Sequence, residues 1–188
     1  MKNKILFLFV FLIFLVFGYS CKAKATVQDI NSLYEKGNEY GRNGDFDNAI
    51  TAYSQAIQQA PDYAPAYNSR GYSYFLKGEY DKAIADYNKA FQLDPNPDFF
   101  PAYVDAYFER GLAYAEKQDF DNAIADFTQA VNLDPNGSSS LYFNLGLVYM
   151  YKGDLNKEIA SYESALKIDP NNTQARRNLQ AAREERGY

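Results

Sequence analysis

A glycine, a tyrosine three residues on, an alanine nine further, an aromatic ring four beyond that and a proline eight later recur along this chain with fixed spacing. The copies are Gly37, Tyr40, Ala49, Tyr53 and Pro61; Gly71, Tyr74, Ala83, Tyr87 and Pro95; and Gly111, Tyr114, Ala123, Phe127 and Pro135. A fourth, Gly146, Tyr149, Glu158, Tyr162 and Pro170, departs only at Glu158. A period in the thirties implies stacked repeats, in which no unit buries its apolar face alone and the core is continuous only along the array.

The residues within one copy read as two helices. In the second copy Tyr67, Arg70, Gly71 and Tyr74 fall at i, i+3, i+4 and i+7, one helical stripe in which the arginine is the weak member. Gly71 costs about 1 kcal/mol of helix stability against alanine, a cost set against close approach of a partner helix. Ala83 and Ala90 are the small residues that accept the approach, and Tyr87 fills space between them. Gly44, Gly78 and Gly153 stand just past a helix end, where a left-handed residue is wanted. Gln118 replaces that glycine in the third copy and predicts a slightly strained turn. Asp94-Pro95, Asp134-Pro135 and Asp169-Pro170 stop the second helix of their copies.

This pattern resembles the tetratricopeptide repeat (TPR), a helix-turn-helix unit. The resemblance implies an all-α chain, a right-handed α-α superhelix of four repeats with a C-terminal capping helix and no enzymatic activity. The repeats are placed at 30–63, 64–97, 104–137 and 139–172, with an insertion at 98–103 and a cap over 173–188. Pro101-Ala102-Tyr103 repeats the string Pro65-Ala66-Tyr67, so the first helix of the third repeat is expected to start a turn early, at about Pro101. Glu158 stands at a small-residue position; either the last helix pair is splayed there, or the carboxylate reaches water. In the cap, Ala175, Leu179 and Ala182 share one side, and the arginines and glutamates elsewhere read as a solvated outer face or a docking tail.

Composition narrows the function. The 188 residues carry a formal charge of −5; without Lys2 and Lys4, 17 basic residues face 24 acidic ones, giving −7. No basic stripe survives that balance, which argues against nucleic acid as a partner. The absence of histidine removes the commonest general base and metal ligand. The single cysteine allows no internal disulfide or cysteine metal cluster. No phosphate loop, nucleophile elbow or HExxH string occurs, so no catalytic residue, cofactor or metal is expected.

At the amino terminus, Lys2 and Lys4 precede 13 uninterrupted apolar residues, Ile5 to Phe17. As a helix these span roughly 20 Å, short of the roughly 30 Å bilayer core, and with the positive flank they fit a secretory signal peptide over 1–20. Gly18-Tyr19-Ser20-Cys21 resembles a bacterial lipoprotein signal, which implies a lipidated Cys21 carrying diacylglycerol and an acyl chain such as palmitate, and a tether to Asp29. An uncleaved anchor and plain secretion are the alternatives. The lipoprotein reading implies a location on the outer side of a bacterial cytoplasmic membrane or elsewhere in the envelope.

The TPR resemblance also implies a concave surface lined by the first helices, which in the family binds peptides or partner helices. The positions carried over are Tyr34 and Asn38 in the first repeat, and Asn68, Tyr72 and Phe75 in the second. Phe108 and Leu112 follow in the third, and Phe143, Leu147, Met150 and Tyr151 in the fourth. So many rings read either as a partner surface or as packing between repeats. Asn38 and Asn68 are able to hydrogen-bond a partner's backbone. The family's carboxylate clamp is argued against, because Tyr34, Ser69, Asp105 and Glu109 stand where its other polar and basic residues would be. The expected function is a protein-interaction scaffold for a peptide or helix of an envelope protein; the rival is a self-associating structural component, and the oligomeric state is left open.

Overall fold

The structure, a computed structural model, describes residues 26–95 and 102–187. The expected signal peptide, Cys21, the start of the tether and most of the insertion lie outside the described residues. Among these residues there are nine α-helices and no strand: α1 (Val27–Arg42), α2 (Phe46–Gln59), α3 (Ala64–Leu76), α4 (Tyr80–Leu93), α5 (Ala102–Glu116), α6 (Phe120–Leu133), α7 (Ser139–Lys152), α8 (Leu155–Ile168) and α9 (Thr173–Arg186). No helix among them is long and apolar enough to cross a membrane.

The helices pack as pairs, α1 on α2, α3 on α4, α5 on α6 and α7 on α8; each pair leans on the next, and α9 covers α8. Local chemistry sets the ends. Thr26 and Asp29 form a capping box on α1, and Asp45, Asp119 and Asp154 accept a backbone N–H at the starts of α2, α6 and α8. The tight turns within the pairs need a left-handed residue: Gly44, Gly78 and Gly153 have φ of 75°, 73° and 72°, and Gln118 is forced to 61°.

Inside each pair the recurrent glycine faces the recurrent ring. A Cβ on Gly111 would stand 2.6 Å from Phe127 Cε1, and one on Gly146 2.5 Å from Tyr162 Cε1. In those pairs the ring itself occupies the space that glycine leaves, whereas a Cβ on Gly71 would stand 3.3 Å from both the Ala83 carbonyl oxygen and Tyr87 Cε1. Tyr87, Phe127 and Tyr162 are fully buried, as are Ala49, Ala83 and Ala123.

Arg70 is no weak member of its stripe. Its guanidinium grips Asp86 of α4 through two parallel hydrogen bonds of 2.7 and 2.8 Å, and it also donates to Ser54. Arg110 repeats the arrangement with Asp126 at 2.7 and 2.6 Å, lying over the ring of Phe91. The signal was present in the sequence: arginine before the glycine and aspartate before the ring, 16 residues apart, in both central copies. On the outer surface Lys77, Lys117 and Lys152 each reach the aspartate that opens the previous pair's second helix, Asp47, Asp81 and Asp121.

Glu158 is 6% exposed, yet the last pair is not splayed, since Gly146 abuts Tyr162 as in the other copies. Its carboxyl oxygens are not among the sealed, unpartnered polar atoms, so they keep contact with water. Burial, and then the charge of Glu185, hold this carboxyl above its ordinary value.

Candidate functional site

An open groove of about 640 Å³ is walled mainly by first helices. Asn38, Gly41 and Arg42 come from α1, Asn68, Ser69, Tyr72, Ser73 and Leu76 from α3, and Asp105 and Glu109 from α5, with Phe46 and Tyr53 below. The stacking of pairs brings these together, because α1, α3 and α5 lie side by side. A smaller, apolar pocket of about 60 Å³ adjoins it, sharing Asn68 and lined also by Tyr34, Pro65 and Phe91.

The expected surface residues divide. Asn38, Asn68 and Tyr72 meet in the groove, and Tyr72 and Leu76 beside it are 43% and 42% exposed. Tyr34 borders the smaller pocket, packed on Tyr53 and Tyr63 with its hydroxyl 3.3 Å from Ser69. Phe75, Phe108, Leu112, Phe143 and Leu147 are half-buried against the cores; Phe108 packs on Phe127 and Phe143 on Tyr162. Met150 and Tyr151 lie on α7, outside the groove, 40% and 67% exposed, with Tyr151 stacked flat on Phe120 at 5.3 Å.

The two asparagines differ. Asn38 accepts a 2.8 Å hydrogen bond from the Tyr53 hydroxyl and donates to Glu35. Asn68 Oδ1 is the one sealed side-chain polar atom among the described residues with no partner. An acceptor left so costs about 1–3 kcal/mol.

Sequence reasoning placed Glu109 only as a misfit to the carboxylate clamp; its environment is more specific. It accepts a 2.8 Å hydrogen bond from Tyr87 of α4. Burial pushes its carboxyl up to about 7; the Tyr87 bond opposes this and the charge of Asp105, one turn earlier, adds to it. Burial likewise raises the Tyr87 and Tyr53 hydroxyls, the latter to about 12. No group of metal-ligating side chains forms among the described residues.

Three tetratricopeptide repeat models match the chain, over residues 34–97, 104–136 and 139–172. The chain belongs to the tetratricopeptide repeat family. Its solved neighbours include MamA, 28% identical over 80% of this chain and 84% of that one with a TM-score of 0.73. MamA from Desulfovibrio magneticus RS-1 is 18% identical over 86% and 88%, at 0.77. YrrB, described as a TPR protein with an unusual peptide-binding site, is 19% identical over 82% and 76%, at 0.72. No curated protein matches. The fold is thus the α-α superhelix of the family, the architecture of a protein-interaction scaffold that is typically not an enzyme.

Proposed function

We propose that the groove between α1, α3 and α5 binds a peptide or a helix of another envelope protein, and that a lipid on Cys21 holds the scaffold to a membrane outside the cytoplasm. The carrying observation is the groove itself: open, about 640 Å³, and edged by the exposed Tyr72 and Leu76. An exposed ring beside an exposed apolar side chain is what a guest can use. Tyr72→Ala with Leu76→Ala, two exposed sites, is expected to abolish crosslinked capture from the native envelope at unchanged helicity and melting. Equal capture by the variant would refute the groove. The membrane anchor is tested separately: a tagged palmitate should label the wild type and not Cys21→Ser.

A second reading, self-association, draws on Met150 and Tyr151, exposed on α7 away from the groove. Sedimentation over a range of concentrations separates the two, since a strict monomer removes the second.

A further inference from the structure

We propose that the guest enters this groove with a basic side chain, a lysine ammonium or an arginine guanidinium, seated on Glu109 and Asp105. The proposal rests on the groove reading above and names the chemistry of its occupant: an extended, basic peptide segment.

Asp105 and Glu109 are four residues apart on α5, so both carboxylates lie on one helical face, and that face is a wall of the groove. Elsewhere in the stack, inward carboxylates are answered by the chain's own cations, Asp86 by Arg70 and Asp126 by Arg110. Among the described residues no lysine or arginine pairs with Asp105 or Glu109; the only neighbouring group that bonds to Glu109 is the Tyr87 hydroxyl. Glu158, also without a cation, sits on α8 outside the groove. The groove's one basic residue, Arg42, stands on the α1 wall and pairs with neither carboxylate.

The α5 wall thus presents two carboxylates that no cation of the chain answers, a charge pattern complementary to a basic guest. An ammonium brings three donors and a guanidinium five, with no acceptor to clash. Tyr72, 43% exposed, lines the same groove, and an aromatic ring is a favourable neighbour for a cation. A neutral or acidic segment would leave the half-buried Glu109 uncompensated or worsen its repulsion with Asp105.

The test uses fluorescein-labelled, end-blocked octapeptides with two lysines among serine, leucine and glycine, and matched probes with glutamine or glutamate in their place. Anisotropy is read with the full chain in detergent. The lysine probe is expected to bind about tenfold tighter than the glutamine probe, a difference of about 1.4 kcal/mol, and the glutamate probe more weakly still. Asp105→Asn with Glu109→Gln is expected to erase that preference, bringing the lysine and glutamine probes to the same affinity; glutamine at 109 still accepts the Tyr87 hydroxyl. Asp62→Asn with Glu184→Gln, two exposed charges elsewhere, is expected to preserve it. Three probes bound equally, and all lost in Tyr72→Ala with Leu76→Ala, would overturn the cationic guest and keep the groove. A lysine preference that survives Asp105→Asn with Glu109→Gln, or no binding of the lysine probe at all, would overturn the proposal as well. Binding by every probe that ignores the Tyr72 and Leu76 changes would bring down both readings.

Discussion

In the second and third helix pairs the residue before the glycine is an arginine and the residue before the inward ring is an aspartate; in the fourth pair these positions hold Leu145 and Ser161. The central pairs thus bury a bidentate guanidinium–carboxylate bridge, whereas the last pair buries an apolar side chain beside a serine that bonds back to the Lys157 carbonyl at 2.7 Å. Charge is tolerated in the stack where its partner is built in, because two parallel hydrogen bonds offset the loss of water. Glu158 in the last pair is one exception, a carboxyl with no cation whose oxygens are not sealed from water.

The sharpest way to break this contrast is to remove one half of a bridge. Arg110→Met strands Asp126, whose side chain is 5% exposed, and should lower the urea-unfolding free energy by about 3–5 kcal/mol. Adding Asp126→Leu should return most of it; a loss under about 1 kcal/mol for the single change would mean the bridge is not a buried one.

Next in size is the glycine beneath each ring. Gly146→Ala places a methyl 2.5 Å from Tyr162 and should cost about 2–3 kcal/mol. Gly71→Ala meets nothing nearer than 3.3 Å and gains up to about 1 kcal/mol of helix propensity, so its thermal midpoint should barely move. Equal losses would show that the second and fourth pairs are equally tight.

A smaller effect concerns Glu158. Its folded carboxyl holds a proton more tightly than the unfolded one, so the folded state carries the extra proton and stability falls as pH rises past the ordinary glutamate range. Glu158→Gln removes this term. The variant should melt with the wild type in acid, below the ordinary glutamate range, and above it at neutral pH; parallel curves at every pH would remove the burial argument.

The smallest concerns the turns. Gln118 at φ 61° does what Gly153 does at 72° without strain. Gln118→Gly should raise stability, and Gly153→Gln lower it, by about 0.5–1 kcal/mol each in matched melts.

Much of this was legible beforehand. The glycine-to-ring spacing gave helix pairs, and the strained turn at Gln118 and the apolar side of α9 were visible as departures or patterns along one helix. The arginine–aspartate bridges are equally periodic, yet along its own helix Arg70 reads as the weak member of an apolar stripe, since a hydrophobic template gives no weight to charge that finds a partner on another helix. Position within the repeat was also too coarse to sort the surface: Tyr72 and Leu112 each follow the recurrent glycine, yet one stands in the groove and the other packs on the core.

The sequence by itself determined that this chain stacks helix pairs, because periodicity and turn chemistry act within a few dozen consecutive residues. Only the tertiary structure decided that Asn38 is satisfied while Asn68 Oδ1 is not, and that Glu109 takes a hydroxyl from Tyr87 instead of an ion pair. Those outcomes depend on which side chains from separate helices come within about 3 Å of one another and on how much water is left between them, and neither quantity is written along the chain.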